Sequence, residues 1–500
     1  MEFSFIECII TISVLSCGIY YYFVKNFNFW KSRGVAGPEP CFFFGNMKDL
    51  MRGNESWALF LRRTYQQYID EPMVGIYAHR EPILILNDLE LIKTVLIKDF
   101  SNFVDRGAKA DPHDVLSNHL FMLDPKRWRP LRMKLSPVFT SGKLRDMFYL
   151  INQCGNRLEN YLDKVDGQSI DMRDIAGKFA TDVIGLCAFG VEANALEEED
   201  SAFRKMGLRM LQVMTSLKAV LKMYLMEMLP PVYRLIGGLL AEREMQSFFI
   251  NLTRDTMEHR RKMNITRHDF IDLLRSLKEE PSQIDDIELT DGLLAAQLFV
   301  FFFAGFETSS STISNCLFEL AMNHEIQDKL REEIKQELGE SREITYEGIK
   351  RMKYLDLVVK ETLRKYPPLT MLMRKSAKDY TFPGTNITIP AKTGILIPIY
   401  AIQRDSRYYP DPDVFNPENF REEAVQSRHP MTYLSFGDGP RNCIGARFGS
   451  IQTKVGIAKL LQNFVVDICD KTDKDYTLNN RAFMLTPKNG IFVKVTKLRS

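Results

Sequence analysis

Apolar positions along this chain fall into three regimes. The first is a continuous run over residues 3–24, whose only charge is Glu7. About 20 apolar residues let a helix cross a bilayer, so the run is long enough. A cleaved secretory signal would have a shorter apolar core of roughly 7–15 residues and a basic leader. Here the leader carries Glu2 and no base, while Lys25, Lys31 and Arg33 follow the run. That bias predicts an uncleaved transmembrane helix, residues 1–33 with its basic flank, and puts the rest of the chain on the cytosolic side. The sequons at Asn251, Asn264 and Asn386 would then never meet the glycosylation machinery. Gly34, Gly37, Pro38 and Pro40 make a stiff segment that would fix how the following domain sits on the membrane.

The second regime is strand-like. Residues 73–77 and 82–86 flank a polar turn at His79 and Arg80, the pattern of a hairpin. Similar runs return at 393–400 and 490–496. The third regime, helical periodicity, dominates from about residue 125 to about residue 365. Its most informative member is 289–322, with Thr290 and Asp291 as an N-terminal cap. Residues 293–306 there are apolar on every side except Gln297. The stretch is too short for a membrane span and has no basic flanks, so it reads as a central buried helix. Such helices seldom carry Gly305, Glu307 and Thr308 in close succession without a reason. No repeat, low-complexity block or charged linker divides the remainder. Residues 34–500 are expected to form a single large domain, mainly α with small β-sheets near its two sequence ends.

Composition narrows the reading. Of 500 residues, 45% are hydrophobic and 26% charged, which is ordinary globular material. A net charge of +2, from 66 basic and 64 acidic residues, gives no electrostatic reason to expect nucleic acid as a partner. The 8 cysteines are scattered without a CxxC pair, which argues against a disulfide framework or a structural zinc. Most are expected to be buried free thiols.

Cys443 is different. It stands in a loop of glycines and a proline, with Arg441 two residues before it. Free backbone N–H groups and a nearby cation favour the thiolate. The pattern Phe436-x-x-Gly439-x-Arg441-x-Cys443-x-Gly445 resembles the haem-binding loop of the cytochrome P450 family. Its five fixed positions would match by chance in a chain of this length on the order of once in ten thousand.

Further segments of the family pattern follow in order. Glu361-Thr-Leu-Arg364 matches the ExxR element, whose charges share a helix face and form a buried ion pair in the family. By itself ExxR reads equally well as a surface salt bridge. Residues 415–420 resemble the segment that normally adds an arginine to that pair, but this chain has Asn419 there. Either Asn419 serves through a neutral hydrogen bond or Arg421 compensates. Arg404-Asp405 and Tyr409-Pro410 resemble the irregular stretch before it. Trp128 and Arg132 match the WxxxR element. The resemblance implies that they hold a haem propionate, with Arg106, Arg374 and Arg441 as further propionate partners through charge-assisted hydrogen bonds.

Ala304-Gly-Phe-Glu-Thr308 resembles the oxygen-activation motif. A threonine in a helix can bond to the carbonyl four residues back, here Ala304. Gly305 would let the backbone approach a flat ligand. Thr308 would hold dioxygen or its water, and Glu307 would link that water to solvent protons.

Resemblance covers essentially the whole chain, and its layout is most similar to insect microsomal, xenobiotic-metabolising members. It implies the cytochrome P450 fold, Cys443 as thiolate ligand of haem b, and a monooxygenase that inserts one oxygen atom from O2 into a lipophilic small molecule. No GxGxxG motif or second domain is evident. Electrons would therefore come from NADPH through a separate cytochrome P450 reductase, with cytochrome b5 as a second donor. Lys126, Arg127, Lys134 and Lys143 are candidates for its docking patch. The implied location is the endoplasmic reticulum membrane. By resemblance, Phe121, Met122, Phe303, residues 369–372 and residues 483–485 are pocket candidates. The Leu- and Met-rich stretch 206–240 would roof the pocket and touch the bilayer, although such a stripe is more often core. Two rivals remain: a haem-thiolate isomerase or dehydratase, whose members tend to lack the threonine, and a non-enzymatic haem sensor or carrier, which would need neither Glu307 nor Thr308.

Overall fold

A computed structural model describes residues 5–267, 269–279 and 287–498; the leader positions Glu2 and Phe3 lie outside the described residues. The helices used below are α1 (Phe5–Val24), α2 (Pro125–Leu135), α3 (Met172–Ile184), α4 (Ala202–Thr215), α5 (Asp291–Met322), α6 (Lys353–Lys365) and α7 (Ala446–Asn463). The strands are β1 (Met73–Ala78), β2 (Glu81–Leu86), β3 (Ser169–Asp171), β4 (Leu372–Lys375), β5 (Gly394–Ile397), β6 (Phe464–Asp467) and β7 (Phe492–Lys497). The fold is mainly helical with small sheets, as the patterning implies.

Helix α1 is long and apolar enough to cross a membrane, and none of its candidate span is buried. The chain divides into two compact units, each built from separated stretches. The first takes the N-terminal part through Gly107, then Leu369–Pro410 and Arg428–Asn442. Its sheet has the order β1-β2-β5-β4. β1 and β2 form the expected hairpin, turning at His79 with a left-handed φ of 54°. β5 joins β2 in parallel, with Leu84 opposite Ile395, and β4 pairs antiparallel to β5, with Arg374 opposite Ile395. Apolar side chains of these strands, among them Leu84, Leu86, Ile395 and Ile397, build this unit's core. The Gly/Pro segment after the anchor is part of this unit: Gly75 N–H donates to Ala36 O at 2.8 Å, and a Cβ on Gly37 would strike the Gly75 carbonyl.

The second unit takes Ala108–Pro368, Asp411–Ser427 and Cys443–Ser500. Its centre is α5, capped by the Thr290 side chain, which accepts from Leu293 N–H. The helix packs on α3, α6 and α7. Its C-terminal half is buried on every side, which explains an apolar helix lacking a narrow hydrophobic stripe. A small antiparallel sheet, β3-β7-β6, closes this unit.

Candidate active site

Gly437 and Gly439 bend the loop before Cys443 with φ of 67° and 74°. A side chain on Gly439 would collide with the Leu96 carbonyl oxygen, so only glycine allows that approach. Phe436 is half-buried beside this turn. Arg441 is buried and donates from Nη1 to Val104 O at 2.8 Å, and Arg106 Nη2 donates to Arg441 O at 2.9 Å. The residues around Val104 thereby brace the loop from one side.

Arg374, on β4, is also buried and lies close enough to Arg441 to feel its charge. Burial, and then that like charge, lower its pKa from 12.5 to about 10. Nη1 donates to Met373 O at 2.8 Å, but Nε has no hydrogen-bond partner among the described residues. A buried guanidinium with an open donor beside a second guanidinium calls for an anion.

In the second unit, Cys443 is exposed, in contrast to the buried Cys154, Cys187 and Cys316. It precedes α7, whose N-cap position is Gly445. The unpaired N–H groups of a helix's first turn favour negative charge nearby. Arg132, on α2, is close enough for the Cys443 thiolate to act on it: burial lowers the guanidinium's pKa and the thiolate raises it. Trp128 is buried one helical turn earlier, as the spacing of four requires. Helix α2 starts on an Asp124 cap that accepts from Lys126 and Arg127 N–H. Arg127 also pairs with Asp124 at 2.7 Å, so its charge is offset locally.

On α5, the Thr308 hydroxyl donates to Ala304 O at 2.5 Å, the bond the spacing predicted. Ala304 is exposed although Phe302, Phe306 and Glu307 around it are buried. Phe303 and Thr308 are half-exposed on the same stretch. Gly305 requires a correction. Its missing side chain makes room for Ile184 at the end of α3, where a Cβ would clash with Ile184 Cδ1. The glycine therefore serves close packing of α5 on α3.

Glu307 is 2% exposed and its carboxylate forms an ion pair with Arg173 of α3. Burial raises its pKa, and the Arg173 charge and hydrogen bond, with the charge of Arg204, work against that rise. Arg173 lies 134 residues away in sequence and sequence reasoning missed it; no local motif signals the pairing.

Also in the second unit, Arg364 and Glu361 of α6 pair at 2.7 Å with both side chains fully buried. Glu361 also accepts from Asn416 N–H at 2.9 Å and Asn419 Nδ2 at 3.2 Å, and Arg364 reaches Pro412 O at 2.8 Å. The choice left open at residue 419 is thus decided by direction. Asn419 is buried and points to Glu361, whereas Arg421 is exposed and pairs with Glu418.

Comparison with known proteins identifies the family. The family described as Cytochrome P450 matches residues 35–494. Cytochrome P450 6A1 of Musca domestica is 40% identical over 489 residues, 96% of each chain. Probable cytochrome P450 6a14 of Drosophila melanogaster is 39% identical over 95% of this chain and 96% of its own. Cytochrome P450 6B1 of Papilio polyxenes is 38% identical over 97% of this chain and 98% of its own. With a family model that spans most of the chain and relatives that run almost end to end alongside it, this chain belongs to the cytochrome P450 family, as a monooxygenase of that family.

Proposed function

We propose that this monooxygenase is anchored by α1 in the endoplasmic reticulum membrane and oxidises a lipophilic small molecule with electrons from NADPH. A separate NADPH-cytochrome P450 reductase would deliver them, with cytochrome b5 as a second donor. One atom of O2 enters the substrate, the other leaves as water, and NADPH supplies the two electrons.

The family implies haem b, and the residues present suit it. Cys443 would be the thiolate ligand, with the Arg132 guanidinium near it and the head of α7 just after it in the chain. Arg374 is the observation that carries the fit, because its open buried donor asks for an anion such as a propionate. Arg132, Trp128, Arg106 and Arg441 are the further propionate partners we assign, and Phe436 and Ala304 would line the group. When bound, the thiolate-ligated haem supplies the centre at which dioxygen is reduced.

The chain's own groups then handle protons. Thr308 commits its hydroxyl proton to Ala304, so its oxygen is left as an acceptor for a protonated species above that residue. Glu307 would exchange protons with solvent by way of water, while Arg173, whose side chain is 20% exposed, holds its carboxylate only as a fixed positive partner. Substrate entry from the membrane is supported by a patch of exposed apolar side chains at Leu217, Met223, Leu235 and Leu239. Among the docking candidates, Lys126 is exposed and Arg127 is tied to Asp124, so Lys126 should matter more.

Carbon monoxide added to the reduced protein should give a strongly red-shifted main band, and Cys443→Ala should abolish it. Substrate-dependent NADPH consumption with added reductase then tests the reaction. No consumption with any of a steroid, a fatty acid, a plant toxin and an insecticide would count against it.

A further inference from the structure

Gln297 is the one polar side chain within residues 293–306, and it is fully buried. Its Oε1 accepts from Leu120 N–H at 2.9 Å, while its Nε2 donates to Asn118 O at 3.0 Å and to Leu293 O at 2.9 Å. The amide therefore meets a backbone donor and a backbone acceptor of one segment side by side. A primary amide carries both functions on one planar group, so it can pin that segment as a neighbouring strand would. The pinned segment carries rings. His119 stands 6.4 Å from Phe121 and 6.1 Å from Phe299 of α5, measured between ring centroids. Phe121 and Met122 are half-buried next to it.

Helix geometry relates this clamp to the oxygen-handling motif. Steps of seven and eleven residues are close to whole turns, so Gln297, Ala304 and Thr308 lie on one face of α5. Gln297 precedes Ala304 by about 10.5 Å along the axis at 1.5 Å per residue. The clamp therefore holds an aromatic segment on the face that bears Ala304 and Thr308, two turns before the first and three before the second. We propose that Gln297 is a positioning residue for substrate. By fixing residues 118–122 against α5, it sets how an apolar molecule is held next to Thr308. This inference rests on the haem-thiolate reading above.

The test uses the ferric, haem-loaded full chain and two probes that ligate haem iron, imidazole and 4-phenylimidazole, titrated optically. Imidazole is too small to need the aromatic segment; 4-phenylimidazole carries an apolar ring that does. Gln297→Met keeps volume and removes the three bonds. It should weaken 4-phenylimidazole by about fivefold, the worth of one net hydrogen bond, and leave imidazole within about twofold. Hydrogen exchange should speed up in the peptide holding Leu120 and stay unchanged across Thr308. Gln297→Glu, which keeps the acceptor for Leu120 N–H, is the second variant if the first does not load haem, and its effect should be smaller. An unchanged affinity ratio in whichever variant loads haem, or unchanged exchange at Leu120 in Gln297→Met, overturns the proposal. Absence of any imidazole spectrum in the unmodified protein overturns the haem reading itself, and the two failures are distinct.

Discussion

Arg364 and Arg374 are both buried, yet their surroundings differ in kind. Arg364 has its countercharge within the chain. Glu361 takes two of its nitrogens, and the carbonyls of Pro412 and Val414 accept from Nη1 and Nη2. Arg374 has a backbone carbonyl, an open Nε and a second guanidinium nearby. A buried charge without a partner is costly, so a fold keeps one only where something else supplies the opposite charge. The first arginine therefore belongs to the architecture, and the second is the one we assign to a bound anion.

The comparison is broken most easily at α6. Arg364→Met leaves Glu361 buried without its cation and should cost about 3–5 kcal/mol. Chemical denaturation would show it as a lower midpoint with unchanged slope. Adding Glu361→Gln should recover part of the loss. If the double variant were as unstable as the single one, the buried pair would not be what holds α6.

Arg374→Met should behave in the opposite way. It removes one of two like charges, so stability before haem loading should change by less than about 1 kcal/mol. The loaded protein should release haem about tenfold faster or more, the worth of a charge-assisted hydrogen bond, followed by transfer to apomyoglobin. A large loss of stability without haem would place Arg374 with Arg364 and erase the distinction.

Glu307 lies between these extremes, because Arg173 offsets its burial only in part. Its native pKa is raised above 4.5, so between 4.5 and the raised value the native state holds more protons than the unfolded chain. This group's contribution to stability is present below that window and is lost as pH rises through it. Glu307→Gln should flatten that part of the stability–pH curve. Arg173→Met should extend the decline to higher pH. Thermal midpoints measured across the acid range decide both.

Much of this was legible in the sequence wherever chemistry is local. The hairpin at His79, the Thr290 cap, the Thr308–Ala304 bond and the Cys443 loop all depend on residues a few positions apart. Sequence was silent where partners are distant. Nothing near Glu307 points to Arg173, and nothing in residues 82–86 announces a parallel partner some 310 residues on at β5. Gly305 was misjudged because a missing side chain leaves room for whatever packs there, and that proved to be Ile184.

Residue 419 shows the limit at its finest. Asn419 and Arg421 are two positions apart, and the sequence alone leaves either as partner for Glu361. The 3-10 turn Pro417–Phe420 decides otherwise: it buries Pro417, Asn419 and Phe420 and ends before Arg421, which turns out to Glu418. Glu361 therefore balances one guanidinium with a neutral amide where the family usually sets a second cation. Asn419→Ala should cost about 1 kcal/mol, one net hydrogen bond. Arg421→Ala should stay within about 0.5 kcal/mol, as expected of an exposed ion pair. Asn419→Arg tests whether the usual residue suits this site. Glu361 Oε1 and Oε2 already accept Arg364 and the Asn416 N–H, so the added cation gains little attraction for the desolvation it incurs. Denaturation should show no stabilisation, and a clear gain would mean that the network tolerates the amide without being built for it.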